Sequence, residues 1–241
     1  METKKAFVLA AGLGTRLRPL TDSRPKALVE VGGKPLVCHI LKKLESSGID
    51  DITVNVHHFA PMLAAYLEKE FPEVNVSDES AELLDTGGGI LHARKFLEGG
   101  PFLVHNVDIF SNLDLRSIPF EGVATLVVSE RDSSRHLLFD GDMCLAGWVD
   151  ERSGEVRSPY GAIDPSQYRR LAFSGIHLLS DAIFPLFEEY GFSGRFSIID
   201  AYLRICAEHR IRGFIPPDFR ILDIGKLDAL ERAADFYRYS L

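Results

Sequence analysis

The sequence predicts an α/β protein with a doubly wound, mostly parallel sheet that carries helices on both of its faces. Short apolar runs typical of buried strands alternate with longer amphipathic segments through the first half of the chain. A glycine-rich loop follows the first apolar run, and an aspartate ends a later one, at the strand ends where such sheets hold ligands. With 241 residues, 46% of them hydrophobic, we expect one domain over residues 1–241.

Residue spacing marks the elements of the first half in turn. Residues 34–47 place their apolar side chains on one helical face, Pro35 suits the first turn of that helix, and Gly48 suits its exit. The strands that we expect in this half are 6–9, 52–56, 74–76 and 102–107. The expected helices are 34–47, 61–71 and 88–97.

The second half is less regular. Asp140-Gly141-Asp142 lies between two apolar runs and predicts a hairpin turn, while residues 150–170 predict a long loop that folds over a second substrate. The expected strands are 124–129, 137–139, 144–149, 171–178, 211–215 and 220–224. The expected helices are 181–189, 198–208 and 226–239, the last with Leu227, Leu230, Ala234 and Tyr237 on one face.

Charge and cysteine content exclude several classes of protein. The formal net charge of −8 argues against a general nucleic-acid binder, which needs a broad basic face. Cys38, Cys144 and Cys206 are odd in number and widely spaced, so we expect reduced, buried thiols without a disulfide framework or zinc site. The chain shows no signal-peptide pattern and no apolar run of about 18 residues, so we expect a cytoplasmic protein without a membrane partner.

The loop that starts at Gly12 predicts an anion site. Five Lys or Arg residues face two acidic ones between Gly12 and Lys34. Gly12 and Gly14 let backbone N–H groups approach phosphate oxygens, and Arg16 and Lys26 add full charges, which favours a triphosphate. The alternative is a glycine-rich surface turn with solvated basic residues.

Two familiar phosphate loops do not fit this segment. A dinucleotide-binding loop needs a third small residue where this chain has Leu17, and it opens directly into a helix that Pro19 and Pro25 disfavour. The Gly-Lys-Ser/Thr ending of the Walker loop is also absent.

Two aspartates follow apolar runs and are candidate metal ligands. Asp108 ends the run 102–107, and Asp223 ends the run 219–222. Magnesium prefers a few hard oxygen ligands together with substrate phosphates, so two carboxylates at neighbouring strand ends suit a metal-bound triphosphate. The alternative is that either aspartate caps a helix N-terminus.

Five segments taken in order resemble the sugar-1-phosphate nucleotidyltransferase family, and the resemblance covers nearly the whole chain. It is strongest to the short single-domain members. The segments are Leu9-Ala10-Ala11-Gly12-Leu13-Gly14-Thr15-Arg16 with Pro25-Lys26, Asp85-Thr86-Gly87-Gly88-Gly89, Asn106-Val107-Asp108, Phe173-Ser174-Gly175-Ile176 and Asp223-Ile224-Gly225.

The resemblance implies a Rossmann-like mixed sheet and a transfer of a nucleoside monophosphate from an NTP to a sugar 1-phosphate. Arg16 and Lys26 are then the catalytic residues, and Asp108 and Asp223 bind Mg²⁺ as the cofactor. The nucleotide-binding residues that it implies are Ala10, Ala11, Gly12, Gly14, Thr15, Asp85, Thr86, Gly87 and Gly88. Those for the sugar phosphate are Asn106, Ser174, Gly175 and Lys226.

The resemblance implies UTP with N-acetylmuramate 1-phosphate ahead of GTP with mannose 1-phosphate, in a monomer or small homo-oligomer. Base choice would depend on side chains near residues 82–85, and sugar choice on the 150–170 loop and Ser174. This chain departs from the family pattern at Val107, where glycine is common, and at Lys226, where threonine is common. Neither departure removes a charged catalytic group.

Hypotheses from other classes remain open. A non-catalytic nucleotide-sugar sensor would bind nucleotide without releasing pyrophosphate. A glycosyltransferase would use an Asp-x-Asp pair, whose spacing Asp140 and Asp142 offer, although a hairpin turn explains them better. A metal cluster of His57, His58 and His105 is a weaker alternative than local hydrogen bonding of these rings.

Overall fold

The computed structural model describes residues 3–225 and 227–240. Its strands are β1 (Lys5–Leu9), β2 (Glu30–Val31), β3 (Lys34–Pro35), β4 (Asp51–Val56), β5 (Asn75–Asp78), β6 (Phe102–Asn106), β7 (Ile109–Ser111), β8 (Ala124–Ser129), β9 (Arg135–Phe139), β10 (Leu145–Asp150), β11 (Val156–Arg157), β12 (Arg169–Leu179), β13 (Ile211–Phe214) and β14 (Ile221–Asp223). Its α-helices are α1 (Leu36–Ser46), α2 (Ala60–Glu70), α3 (Asp85–His92), α4 (Arg94–Leu97), α5 (Ile183–Glu189), α6 (Ile198–Ile205) and α7 (Leu227–Ser240).

The first half of the chain forms the parallel part of the central sheet, in the order β6-β1-β4-β5. Strand β1 lies between two parallel neighbours, with Ala6 and Phe7 fully buried on opposite faces of the sheet. Leu9 pairs with Asn106, so the chain leaves β1 and β6 at the same edge. The predicted parallel, doubly wound arrangement is confirmed.

The second half extends this sheet with antiparallel strands. The long strand β12 pairs with β6, β8 and β9, and the hairpin of β9 and β10 turns at Asp140, as predicted. The pairing of β12 with β8 is interrupted between Phe173 and His177. This irregularity lies where β12 passes the carboxyl end of β6, beside Asn106.

Hydrophobic clusters cover the two faces of the sheet. Leu36 and Ile40 of α1 belong to the cluster on one face, and Phe184 of α5 and Tyr202 of α6 belong to the cluster on the other. Helix α1 ends at Ser46, and Gly48 lies at its exit as expected, with φ +79° and its N–H donated to the carbonyl of Glu45. The helix begins at Leu36 rather than at residue 34, because Lys34 and Pro35 form β3. The sheet, covered on both faces, therefore supports the loops at its carboxyl edge.

Several predicted boundaries need correction. The single helix expected at 88–97 is two helices, α3 and α4, and α3 begins three residues earlier than expected. The 150–170 loop contains strand β11 and a 3₁₀ turn at Pro165–Gln167.

The predicted apolar face of the last helix also needs correction. Leu227 is 44% exposed, whereas Ala229 and Ala233 are buried, so the prediction is wrong at its first position. The side chains of Ala234 and Tyr237, two further members of that face, lie outside the described part of the structure.

The cysteines are unpaired, as predicted. Cys38 and Cys206 are buried, but Cys144 is only half-buried, so that part of the expectation is wrong for one thiol. In residues 3–225 and 227–240, no helix combines the length and apolar character needed to cross a membrane.

Candidate active site

A buried side chain of β4 holds the loop after β1 in place through hydrogen bonds. The Asn55 side-chain oxygen accepts hydrogen bonds from the N–H groups of Ala10 (2.6 Å) and Ala11 (3.1 Å). Its amide nitrogen donates to the carboxylate of Glu79 (2.7 Å). These two alanine amides thus fix the loop to the sheet, a role that the sequence pattern did not indicate.

Gly14 sits at the turn of this loop and requires glycine. Its φ is +63°, and a Cβ there would lie 2.9 Å from the Thr21 methyl and 3.0 Å from Cβ of Lys26. The hydroxyl of Thr21 donates to the Gly14 carbonyl (2.9 Å), which closes the loop on itself. This folding brings Lys26 back towards the start of the loop.

Lys26 is buried and forms an ion pair with Asp108, whose side chain is 16% exposed. Asp108 directly follows β6, and the next strand β7 begins at Ile109. Because a strand follows Asp108, the alternative that it caps a helix is wrong. The pair places one positive and one negative charge at the carboxyl edge of the sheet.

Asp223 reaches the same place by a different route from the one expected. Its strand β14 pairs with β7 rather than with the central sheet, with Asp223 opposite Ile109. The N–H of Ile224 donates to the carbonyl of Asp108 (2.8 Å), so the two aspartates are held together through their backbones. One carboxylate oxygen of Asp223, Oδ1, is buried without a hydrogen-bond partner in the described structure.

This orphaned oxygen fits a cation, because an ionised carboxylate buried without a partner is costly. Among the residues that the structure describes, no group of three or more His, Cys, Asp or Glu side chains is placed to hold a metal ion. Two carboxylates completed by substrate oxygens are the donor set that magnesium accepts. Asp108 and Asp223 therefore fit the predicted ion only together with a phosphate ligand.

Arg16 lies over Gly225. A Cβ at this glycine would be 2.7 Å from a guanidinium nitrogen of Arg16 and 2.7 Å from Oδ1 of Asp223. The space that glycine leaves lets the loop arginine and the second aspartate approach each other. Arg16 and Asp223 line a cavity of about 490 Å³.

A second cavity of about 310 Å³ lies between the loop and α3. The predicted residues in its wall are Ala10, Ala11, Gly12, Lys26, Asp85, Thr86, Asn106 and Asp108. Its wall also contains three side chains that sequence analysis missed, namely Asn55, Glu79 and Arg195. Six predicted residues are absent from this wall, namely Gly14, Thr15, Gly87, Gly88, Ser174 and Gly175.

A wider cavity of about 750 Å³, lined by Thr3, Ile49 and Phe120, opens at the opposite edge of the sheet and contains none of the predicted residues.

The glycines of α3 pack against the segment that leads into α6. Gly87 and Gly88 both donate their N–H groups to the carbonyl of Phe196 (2.9 and 3.1 Å), and a Cβ at Gly88 would overlap the carbonyl oxygen of Gly194. The Thr86 hydroxyl accepts from the N–H of Ile198 (2.9 Å). These two glycine amides are thus occupied within the protein.

Asp85 begins α3 in an uncommon conformation. Its φ is +62°, and its carboxylate accepts from the N–H of Thr86 (2.6 Å). Asp85 and Thr86 line the same cavity as Glu79. Burial raises the pKa of Glu79 above its ordinary value, although hydrogen bonds from Asn55 and the N–H of Leu84 partly oppose this.

The predicted sugar-phosphate residues meet on the other side of β6. Gly175 has φ +79°, and a Cβ there would lie 2.5 Å from the amide nitrogen of Asn106, so glycine permits this contact. The buried Ser174 hydroxyl accepts from the N–H of Ile176 (3.1 Å). Lys226, the fourth predicted residue, lies outside the described residues.

Local hydrogen bonds account for polar residues that sequence analysis left as alternative metal or sugar-transfer sites. His57 bonds the carbonyl of Glu79 (2.7 Å), and His105 bonds the carbonyl of Asn106 (2.8 Å). Burial lowers the pKa of His105 to about 4, so its ring is neutral near pH 7. The Asp140 carboxylate accepts from the N–H groups of Asp142 (3.0 Å) and Cys144 (2.8 Å), as expected for a turn residue.

Comparison with known proteins finds related sequences. Residues 5–119 match the nucleotidyl transferase family. The N-acetylmuramate alpha-1-phosphate uridylyltransferase of Caulobacter vibrioides is 36% identical over 222 residues, which cover 88% of each chain. The mannose-1-phosphate guanyltransferase of Aspergillus fumigatus is 37% identical over 119 residues, 47% of this chain and 33% of that relative.

A solved structure extends the similarity to the fold of the whole chain. The crystal structure of HddC from Yersinia pseudotuberculosis, complexed with GMP-PN, has a TM-score of 0.76 and 25% identity. The match covers 98% of this chain and all of that one. The family match includes both Lys26 and Asp108, and the identity to the Caulobacter relative extends over most of both proteins. This chain therefore belongs to the nucleotidyl transferase family and is a nucleotidyltransferase.

Proposed function

We propose that this protein transfers a nucleoside monophosphate from an NTP to a sugar 1-phosphate in the presence of Mg²⁺. The observation that carries the proposal is the Lys26–Asp108 pair in the wall of the 310 Å³ cavity, with Asp223 held beside it by the backbone of Ile224. A cavity of this size takes a small organic ligand. In this proposal, Lys26, Asp108 and Asp223 lie next to the phosphates of the bound nucleotide.

In the proposed reaction a phosphate oxygen of the sugar 1-phosphate forms a bond to the α-phosphorus. The bond between the α-phosphorus and its bridging oxygen to the β-phosphorus breaks, and pyrophosphate leaves with that oxygen. A phosphate monoester is already ionised near neutral pH, so the reaction needs no strong general base. Catalysis then consists of positioning and of balancing charge.

Lys26 and Arg16 balance the negative charge of the triphosphate in this proposal. The Lys26 ammonium is buried, which strengthens its interaction with a phosphate oxygen, and Arg16 lies on the same loop. Asp108 and Asp223 would hold Mg²⁺, which supplies further neutralisation of phosphate charge when it is bound. The sheet and the Asn55 hydrogen bonds keep these groups in fixed positions.

For the substrates we propose UTP with N-acetylmuramate 1-phosphate, ahead of GTP with mannose 1-phosphate. Support for the first pair is the name of the Caulobacter relative, whose similarity extends over 88% of both chains. The guanyltransferase of Aspergillus matches about half of this chain, and the HddC structure is a complex with GMP-PN. The side chains of Glu79, Leu83 and Asp85 in the cavity wall are candidates for contact with the base.

A matrix of the common NTPs against several sugar 1-phosphates, read as pyrophosphate release with and without Mg²⁺, tests the proposal. We expect Mg²⁺-dependent release with UTP and N-acetylmuramate 1-phosphate, and thermal protection by UTP at concentrations where GTP gives none. Faster release with GTP and mannose 1-phosphate would reverse the order of the two substrate pairs. Nucleotide binding without release from any pair would favour a non-catalytic sensor.

A further inference from the structure

The 490 Å³ cavity that Arg16 and Asp223 line contains charged residues outside the family segments. Arg131, which follows β8 in the chain, and Arg232 of α7 line this cavity. Asp132 completes the charged part of the wall. The cavity therefore collects three guanidinium groups from three distant parts of the sequence, facing two carboxylates.

Within residues 3–225 and 227–240, the three arginines of this cavity are not neutralised by ion pairs. No carboxylate in the described part of the chain forms an ion pair with Arg16, Arg131 or Arg232, although Asp132 and Asp223 line the same cavity. Arg131 is oriented by a hydrogen bond from its Nη2 to the carbonyl of Phe173 (3.1 Å). Its Nε is buried without a hydrogen-bond partner. A guanidinium group that no carboxylate neutralises is able to bind an anionic ligand.

The position of the cavity relative to the loop suggests which anion it could bind. Gly12 and Lys26 line the 310 Å³ cavity, whereas Arg16, four residues after Gly12, lines this one. A nucleotide whose base lies against Asp85 and whose α-phosphate lies near Lys26 would direct its β- and γ-phosphates along the loop to Arg16. Fixed guanidinium forks suit such oxygen-rich anions.

We propose that Arg131 and Arg232, together with Arg16, hold the β- and γ-phosphates and then the pyrophosphate that these become. The inference rests on the proposed nucleotidyl transfer. Arg131 and Arg232 contact the leaving group alone, because they lie in the wall of the 490 Å³ cavity and not in that of the 310 Å³ cavity. They therefore affect pyrophosphate and triphosphate more than the nucleotide-sugar product.

The reverse reaction gives the sharpest test, since pyrophosphate is then a substrate. With nucleotide-sugar saturating, Arg131→Gln and Arg232→Gln are each expected to raise the KM for pyrophosphate about tenfold or more, as expected for loss of a charged hydrogen bond. The KM for the nucleotide-sugar stays within about twofold, and Arg131→Lys recovers part of the loss because it keeps the charge. Arg204→Gln, an exposed arginine on α6, is the matched control and leaves both constants unchanged.

An unchanged KM for pyrophosphate in both glutamine variants overturns the inference. An increase confined to the KM for the sugar 1-phosphate in the forward reaction also overturns it, because the cavity would then hold the acceptor. Arg232 is exposed on α7, so its variant tests the inference even where Arg131→Gln disturbs the contact to Phe173.

A binding measurement separates this inference from the proposed function. Pyrophosphate alone is expected to raise the Tm of the wild-type protein, and to raise it less in Arg131→Gln and Arg232→Gln. Absence of turnover with every substrate pair would refute the proposed function, while the same Tm difference would still support the pyrophosphate pocket. Equal shifts in wild type and both variants would refute the pocket alone.

Discussion

At the scale of single residues, Lys26 is the group on which the proposed chemistry depends most. Its ammonium is buried against Asp108, so it carries its charge in a site where water screens little. Lys26→Ala is expected to lower kcat by about two orders of magnitude or more, the range for loss of a preorganised charge. Steady-state pyrophosphate release measures the effect.

Lys34→Ala is the matched control, because Lys34 is an exposed lysine beyond the end of the same loop. We expect it to retain nearly full turnover. Turnover of Lys26→Ala close to that of the control, with both variants folded by circular dichroism, would contradict the role of Lys26.

Asp223 provides a separate test of the metal. Asp223→Asn keeps the shape of the side chain but removes its charge, so it is expected to raise the Mg²⁺ concentration needed for half-maximal activity by about tenfold or more. The Tm without Mg²⁺ should hardly change, because Oδ1 has no hydrogen-bond partner to lose in the described structure. A normal Mg²⁺ titration of the variant would contradict metal binding by Asp223.

At this scale, the sequence points to charged candidate residues more directly than to polar ones. Four charged residues follow glycines or apolar runs in the sequence, and this placement can be read from the sequence directly. They are Arg16, Lys26, Asp108 and Asp223. Asn55 lies within a buried strand, and only the fold shows that its oxygen faces the amides of Ala10 and Ala11. Arg131 likewise meets Arg16 only through long-range packing.

At the scale of elements, helix α3 shows how glycine determines packing. Gly88 has helical geometry, so alanine there would favour the helix itself, yet its Cβ would overlap the carbonyl oxygen of Gly194. The backbone must move to relieve this overlap. Gly88→Ala is therefore expected to lower the free energy of unfolding by about 1–3 kcal/mol, measured by urea denaturation.

Gly141→Ala is the control for this prediction. Gly141 lies in the hairpin turn without a positive φ, and no atom lies within 4 Å of the position that an added Cβ would take. The change in the free energy of unfolding there is expected to stay within about 0.5 kcal/mol. Equal stability of the two variants would show that the segment at Gly194 yields without cost.

Element prediction succeeded where the signal is local. The helix around Ile40 and the strand 124–129 have regular spacing, and the structure has them close to the predicted positions. Strands β7 and β14 are three residues each and exist because they pair with each other across more than 100 residues. Short-range patterns do not contain that information, so the way in which Asp223 joins Asp108 was not predicted.

At the scale of the whole molecule, the two halves of the sheet differ in how far the sequence determines them. The parallel half follows from alternating strands and helices, which leave little choice of topology. The antiparallel half depends on the long strand β12, which contacts three strands along its length. Its interruption near Ser174 has no signature in the hydrophobic pattern, although it helps to place Gly175 against Asn106.

The buried centre of this sheet makes global stability depend on pH. His105 on β6 and His177 on β12 are buried, and burial lowers their pKa values to about 4 and about 3. The Nδ1 of His177 bonds the Tyr202 hydroxyl at 2.5 Å. Below the ordinary histidine pKa of 6.5 the unfolded chain takes up protons that the folded protein does not. Stability therefore falls as the pH drops from about 6.5 towards 4.

One such histidine lowers the free energy of unfolding by about 2 kcal/mol between pH 7 and pH 5, because each pH unit below 6.5 costs about 1.4 kcal/mol. Glu79 acts in the opposite direction, since burial raises its pKa.

His177→Gln keeps a polar partner for Tyr202 and removes one titrating ring, so its loss of stability over this range is expected to be about 2 kcal/mol smaller than that of the wild type. His92→Gln, at an exposed histidine, is the control and should show the wild-type loss. Urea denaturation at pH 7 and pH 5 measures all three proteins, and an equal loss in wild type and His177→Gln would refute the assignment of this pH dependence to the buried ring.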